Sequence, residues 1–469
     1  MPLFARLSDV FGRKPVLLAA NTTFFIGSVI GGAAKGLGTL LAGRVIQGIG
    51  AGGLLVLPNV VISDLFSQRE RGFYLSVIGM TWAVASALGA VVGGFFAEKV
   101  SWRWCFFVNL PFEAVSIALV LAYLDVHRPS TRWVQGVKAI DWLGAAVLAG
   151  ATVMLLLGLE FGGVTYPWTS GVVIGLIVGG TLGFAAFVGV EVKVANRPLL
   201  PVRVFAHRSP AAILGVVFTH GTCYIAAAYF LPLYFQLVLG ASPLLAGAWF
   251  LVTAATLAIT TIVSGKYMQR TGRYLEVVYF GTMMMALGFT LLTNFPPNRS
   301  WLRIVMYQIV VALGIGPLFQ SPLIALQTNL APADIAAGSA AYSSIRQLAC
   351  GISVVVGQVL FQAKMKDHLE NLAKAGISGD LARSLANGDL ISTAFSRDVV
   401  RAATSDSLAR MWIFYAVVGL LGLVFSFGIK KKMLMRDHVE HMTGLDELSG
   451  NEDDVSAVVV KGEGKGGIV

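Results

Sequence analysis

Apolar residues in this chain run in long stretches instead of alternating or recurring on one helical face. A helix needs roughly 20 apolar residues to cross the hydrocarbon core of a bilayer. Stretches near 16–34, 38–65, 73–97, 104–124, 141–161, 170–191, 209–239, 243–264, 274–293, 301–326, 335–362 and 410–429 qualify. Twelve membrane helices are therefore predicted, several long enough to tilt or to project beyond the bilayer. Residues 363–409 read as a long mixed-charge loop. The polar tail from 433 to 469, with Glu452, Asp453 and Asp454 and a Gly-rich end, reads as disordered. The chain reaches a polar, basic turn by Asp9, so no cleavable signal peptide is expected.

Composition supports this pattern. Of 469 residues, 56% are apolar and only 13% charged, with mean hydropathy +0.74, where a soluble domain carries about a quarter charged residues. A water-soluble enzyme or binding module is excluded, and an all-α polytopic membrane protein is expected. The net charge of +10 would suggest nucleic acid in a soluble protein, but here it is a topology signal. One set of loops holds Arg6, Arg13, Lys14, Arg69, Arg71, Arg128, Arg132, Lys138, Lys193, Arg197, Arg203, Arg208, Lys266, Arg270 and Arg273. The alternate loops hold only Lys35, Lys99, Arg103, Arg299 and Arg303. The first set is expected in the cytosol with both termini, and Lys430, Lys431 and Lys432 after the last span agree. No nucleic-acid partner is expected. The cysteines Cys105, Cys223 and Cys350 lie in apolar runs without metal or disulfide spacing.

Two turns in that cytosolic set look alike: Ala5-Arg-Leu-Ser-Asp9-Val-Phe-Gly12-Arg13-Lys14 and Gly265-Lys-Tyr-Met-Gln269-Arg-Thr-Gly272-Arg273-Tyr274. Glycine permits a tight turn, and an arginine beside it can reach a carboxylate or the last carbonyls of a neighbouring helix. Asp64, at the end of the 38–65 span, is the expected partner of Arg13. Enzyme motifs fail on context. Gly48-Ile-Gly50-Ala-Gly52-Gly53 satisfies a dinucleotide fingerprint, which needs a preceding strand, but it lies within a membrane-length run where small residues let helices approach. Gly27/Gly31 and Gly89/Gly93 are the same device. His438-Val-Glu440-His441 lacks the spacing of a metal-binding helix and sits in the tail. Neither a nucleophile elbow nor a phosphate loop occurs, so no cofactor, metal or nucleotide site is expected.

Ionisable residues at bilayer depth are costly, at about 2.5–3.5 kcal/mol each on insertion scales, and so are the functional candidates. Arg44 and Arg346 are candidates for proton coupling or substrate binding, with snorkelling to the interface as the alternative. Glu113, after Asn109-Leu-Pro111, could exchange protons if desolvated or could be capped near the outer interface. His220 could carry protons or be a satisfied core histidine. Tyr224, Tyr229 and Tyr234, with Phe230 and Phe235, form either a cavity wall or an interface belt.

With its neighbours, the first turn resembles the loop signature of the major facilitator superfamily. Leu41-Ala-Gly-Arg44-Val-Ile-Gln47-Gly48-Ile-Gly50 resembles its arginine-bearing fourth-helix motif, and Gly79 to Gly94, with Gly89, Gly93 and Gly94, its antiporter motif. Val100-Ser-Trp102-Arg103-Trp104-Cys-Phe-Phe-Val-Asn109-Leu-Pro111 and Tyr229-Phe-Leu-Pro232-Leu-Tyr234-Phe235-Gln236 are similar to stretches of fungal fourteen-segment drug–proton antiporters of the TCR/Tet group. The sequence departs from the usual pattern at Ala90, where proline is usual, and at Ala5, where glycine is usual. The resemblance covers about residues 5–429. It implies a secondary transporter in the cell membrane, working as a monomer, that exports drugs, toxins or secondary metabolites against protons. Vacuolar transport of basic amino acids and a non-transporting sensor or inactive relic are the alternatives.

The resemblance and the repeat together divide the chain. Residues 1–124 form an incomplete first bundle of four spans, 125–208 two linker helices, 209–429 a six-helix bundle with the 363–409 loop outside, and 430–469 a cytosolic tail. Two spans precede the second Gly-Arg turn within its half, whereas four residues precede Ala5. Two further helices ahead of Met1 are the expectation, for a total of fourteen. Asn298-Arg-Ser300 is a glycosylation sequon on the expected outer face, while Asn21-Thr-Thr23 lies inside a span.

Overall fold

The computed structural model describes residues 1–126, 133–163, 165–195, 198–200, 207–295, 300–331, 334–368, 372 and 398–435. Among them the chain is helical, with a lone bridge between Gly162 and Tyr166 and no strand. Its helices are α1 (Pro2–Phe11), α2 (Arg13–Gly32), α3 (Leu37–Leu65), α4 (Gln68–Phe95), α5 (Trp104–Phe107), α6 (Asn109–Tyr123), α7 (Trp133–Lys138), α8 (Trp142–Phe161) and α9 (Gly171–Lys193). They continue as α10 (Arg208–Leu237), α11 (Pro243–Thr271), α12 (Leu275–Leu292), α13 (Trp301–Ile315), α14 (Ser321–Thr328), α15 (Ile335–Asp367) and α16 (Asp398–Ser426). Twelve helical stretches among the described residues are long and apolar enough to cross a membrane.

The expected 301–326 span is broken. Pro317 lacks an N–H to continue the ladder, so α13 stops at Ile315, a short 3₁₀ turn follows at Pro317–Phe319, and α14 resumes at Ser321. The expected 363–409 loop is shorter than its bounds. Helix α15 runs to Asp367 and α16 starts at Asp398, because Met365, Val400, Ala403 and Leu408 are buried and extend both helical faces.

Helix pairs form where small residues remove side-chain bulk. A Cβ on Gly27 would lie 2.4 Å from the Gln47 backbone nitrogen, one on Gly43 2.6 Å from that of Gly31, and one on Gly50 2.5 Å from that of Phe24. The run that mimics a dinucleotide loop is thus half of the α2–α3 contact. Across the two halves of the chain, Gly72, Ser76 and Gly79 of α4 interlock with Gly265 and Thr261 of α11, with a Cβ at Gly265 falling 1.9 Å from Ser76 Oγ. Gly89 and Gly93 differ from the expectation of a packing stripe. Among the described residues nothing lies within 4 Å of a Cβ placed at either of them, or at Gly94. The main buried core gathers α10, α12, α13, α14 and α16 with parts of α4 and α11, and a smaller cluster joins α1, α2 and α3 to Ala336 and Ala340 of α15. Outward faces carry apolar residues suited to lipid, such as Leu41, Val45 and Ile49 along α3.

Candidate functional site

The first Gly-Arg turn builds a buried charge lock. Gly12 takes φ +90°, a conformation open to glycine, and it drops Arg13 back under α1. The Arg13 side chain is 2% exposed. Its Nε donates to Asp64 Oδ2 at 2.6 Å, and its Nη1 donates to Asp9 Oδ1 at 2.5 Å and Ser8 Oγ at 2.6 Å. Asp64 is thus the partner that the sequence suggested, with Asp9 alongside it. Two residues not expected at this site, Arg6 and Glu191, extend the lock. Arg6 stands 3.6 Å from Asp9 and donates from Nε to the Pro198 carbonyl at 2.8 Å. Glu191, buried in the last turn of α9, accepts the backbone N–H groups of Leu199 at 3.0 Å and Leu200 at 3.2 Å. The 198–200 segment is therefore held from both sides, which ties α9 to the lock. A carboxylate near the end of an otherwise apolar helix was the available signal.

The second turn is built differently. Gly272 caps α11 in the left-handed region at φ +73°, but Arg273 is 52% exposed and pairs at 3.1 Å with Glu276, itself open to solvent. Here the two halves are joined by the strand-like stretch after α16. Leu434, 4% exposed, donates its N–H to the Gly272 carbonyl at 3.1 Å. The Arg69 N–H donates to the Met435 carbonyl at 3.2 Å, while the Arg69 guanidinium donates from Nε to the Gln269 carbonyl at 2.7 Å and from Nη2 to the Arg270 carbonyl. The Tyr274 hydroxyl donates to the Lys430 carbonyl at 2.7 Å. Residues 430–435 correct the expectation of a tail disordered from its start. Leu434 fills a place in the main core, and that burial orders the strap. The remainder of the expected tail lies outside the described residues, as does the Asn298 sequon. Asn21 is buried and bonded within α2 to the Leu17 carbonyl.

Deeper in the bundle, the candidates separate. The Arg44 Nη1 donates to Gln47 Oε1 at 2.7 Å, Gln47 donates on to Ser28 Oγ at 2.9 Å, and the guanidinium lies 5.9 Å from the centre of the Phe106 ring. Among the described residues Arg44 has no carboxylate partner. Glu113 of α6 keeps Oε2 buried with no hydrogen-bond partner among the described residues. One turn along, Ser116 donates to Asn21 Oδ1 at 3.2 Å across the α2–α6 contact.

Arg346 sits in an aromatic cage between the halves. Its guanidinium carbon is 4.3 Å from the Phe319 ring centre, 5.6 Å from Trp82 and 5.8 Å from Tyr224. These rings come from the break after α13, from α4 and from α10. The Tyr224 and Ser86 hydroxyls lie 3.0 Å apart. His220 is fully enclosed beside the cage. Its Nε2 is 3.2 Å from the Ile315 carbonyl, which can only accept, so Nε2 carries the proton. Tyr229 and Tyr234 do not join this wall. Tyr229 is 46% exposed on the outward face, and Tyr234 packs 4.3 Å from Phe295 in the core of the second half.

An α-helical membrane bundle whose two halves meet through close α4–α11 packing, with buried charges at one end and polar groups at depth, has the form of a secondary transporter. The family model described as Major Facilitator Superfamily matches residues 1–354. The chain is 44% identical over 457 residues to the "MFS-type transporter ppz2" of Metarhizium majus (strain ARSEF 297), covering 94% of this chain and 78% of that protein. It is 41% identical over 453 residues to the "Efflux pump dotC" of Dothistroma septosporum (strain NZE10 / CBS 128990), covering 95% of this chain and 78% of that one. Among solved structures it shares the fold of the human organic anion transporter MFSD10 (TETRAN), with TM-score 0.55 at 16% identity over 91% of this chain and 79% of the other. The proton:xylose symporter XylE matches with TM-score 0.55 at 17% identity, over 92% and 84%. The chain belongs to the major facilitator superfamily. It is a multi-pass membrane transporter, not an enzyme.

Proposed function

We propose that this chain exports amphiphilic small organic molecules in exchange for protons, working as a monomer in the cell membrane with both termini in the cytosol. The observation that carries the reading is similarity at 41–44% identity, over nearly the whole chain, to proteins named as an MFS-type transporter and an efflux pump. The orientation rests on the Lys/Arg bias of the loops, which puts the Arg13 lock and the 430–435 strap on the cytosolic side and Asn298 outside. In this reading the lock fixes the cytosolic ends of α1, α2 and α3 within the first half, and the 430–435 strap, which joins the halves, is what gives when they rock.

Glu113 and Arg44 are the proposed coupling pair of the first half. Glu113 places a carboxylate at bilayer depth whose buried Oε2 has no hydrogen-bond partner among the described residues, and Arg44 with Gln47 and Ser28 belongs to the neighbouring α2–α3 seam. His220 ranks lower in this scheme, because its Nε2 proton is already engaged by the Ile315 carbonyl. The test is uptake of rhodamine 6G and of dansylglycine into inside-out vesicles bearing the chain, driven by an imposed pH gradient, acid inside. Accumulation that collapses with nigericin is the expected result. Accumulation that ignores the gradient overturns proton coupling, and no accumulation of either dye contradicts export. Glu113→Gln and Arg44→Ala should lose the gradient-driven component at normal vesicle abundance. Arg44→Lys should retain part of it, since charge persists but the planar fork does not.

A further inference from the structure

We infer that the Arg346 cage is a substrate site selective for aromatic compounds bearing an anionic group, a carboxylate first among them. The inference rests on the export reading only for the direction of transport; binding at the site stands apart from it. It begins with an uncompensated charge. Arg346 lies on α15 about 17 Å along the axis from Ile335, at about 1.5 Å per residue, which places it near the middle of a membrane span. Among the described residues no carboxylate pairs with it. A guanidinium at such depth ordinarily has a counter-ion. Here it has the π-faces of Phe319, Trp82 and Tyr224, which hold a cation without neutralising it, and the hydroxyl of Tyr342, one turn earlier on α15, which accepts from it. The other N–H donors of the fork are left for an incoming anion, in the bidentate geometry that arginine offers carboxylates.

The surroundings fit an aromatic body attached to that anion. Three rings from three separate helical segments converge on one point, and Arg346 itself is only half-buried. A second polar group lies beside them. Gln320, next to Phe319, is 4% exposed, and its Oε1 has no hydrogen-bond partner among the described residues. A buried acceptor left unpaired costs stability until a donor arrives. Gln320 packs against α4 at Gly79, one turn from Trp82, where a Cβ would come within 3.7 Å of Gln320 Cγ and 3.5 Å of Phe319 Cβ. A ligand with a carboxylate for Arg346, a ring for the cage and a donor for Gln320 answers all three. Because Trp82 belongs to the first half and Arg346 to the second, such a ligand would touch both halves that must move.

The test uses a pair of fluorescent aromatic probes that differ at one group, a carboxylate against a neutral amide. Dansylglycine carries a carboxylate, and dansylglycinamide is its neutral counterpart. Binding is measured by dansyl anisotropy with the full chain in nanodiscs. Wild type should bind dansylglycine at least tenfold more tightly than the amide, the scale of a charge-assisted hydrogen bond. Arg346→Gln should erase that preference while leaving the amide affinity in place, which also shows that the variant is folded. Arg346→Lys should keep part of the preference, and Gln320→Leu should weaken both probes alike. Equal binding of the two probes by wild type overturns the site, with no variant needed. So does a preference that survives in Arg346→Gln, or tighter binding of the cationic dansylcadaverine. Preferential binding of dansylglycine without gradient-driven export supports the site and counts against the export reading alone.

Discussion

The two Gly-Arg turns share a sequence pattern and differ in what surrounds the arginine. At the first, Arg13 is enclosed and held by Asp9, Asp64 and Ser8. At the second, Arg273 lies in the open against Glu276. The position four residues before the arginine explains part of this, for it is Asp9 in one turn and Gln269 in the other. The rest comes from the strap. Residues 430–435 occupy the Gly272 carbonyl and reach Gln68 and Arg69 of α4, so the second turn is joined to the first half through backbone hydrogen bonds. Charge secures one side of this end of the bundle, and chain packing secures the other. Charges buried among proteins are sensitive to the loss of a partner, whereas solvent-exposed pairs are not. The contrast has measurable consequences.

The largest effect is expected at the lock. Arg13→Ala takes the shared cation from Asp9 and Asp64 and leaves Asp9 with the longer Arg6 pair alone, and loss of one partner from a buried ion pair costs about 3–5 kcal/mol. Detergent-solubilised protein should melt well below wild type, and gradient-driven dye uptake should vanish. Arg13→Lys should recover part of both, since charge returns without the fork that meets Asp9 and Asp64 together. Next is the strap. Leu434→Ala removes a buried side chain from the main core and should cost about 2–3 kcal/mol, within the range for such truncations, read as a lower melting temperature and as faster protease cleavage after α16. A smaller loss is expected for Glu191→Gln, which keeps shape but weakens two charge-assisted bonds to Leu199 and Leu200, by about 1–2 kcal/mol. Release of the 198–200 segment would then appear as faster amide exchange there. Arg273→Ala should change neither melting nor uptake. A large effect at Arg273 would remove the distinction between the two turns.

Much of the fold was legible because bilayer-length apolar runs mark the membrane helices directly. Arg13 and Asp64 were legible as partners because each stands at the end of an apolar span beside a turn. The cage was not. Its members are drawn from four helical segments far apart in sequence, and no local pattern brings Trp82, Tyr224, Phe319 and Arg346 together. The tyrosine series shows why reading by proximity fails. Tyr224, Tyr229 and Tyr234 recur every five residues, and at about 100° per residue each step turns the side chain by about 140°. They therefore fall on three faces, one at the cage, one outward and one in the core. The strap was obscured by its charged neighbours, although Met433-Leu-Met435 directly after three lysines is an apolar trio in a polar tail.

The claim that one turn is a load on conformational change and the other is not can be tested in one assay. Charge reversal at each turn, Arg13→Asp and Arg273→Asp, is compared in the same inside-out vesicles at matched abundance, together with the swap of Arg13→Asp with Asp64→Arg. No gradient-driven uptake is expected for Arg13→Asp, partial return in the swap, and wild-type uptake for Arg273→Asp. Equal loss at the two turns, or wild-type uptake in Arg13→Asp, would contradict the claim.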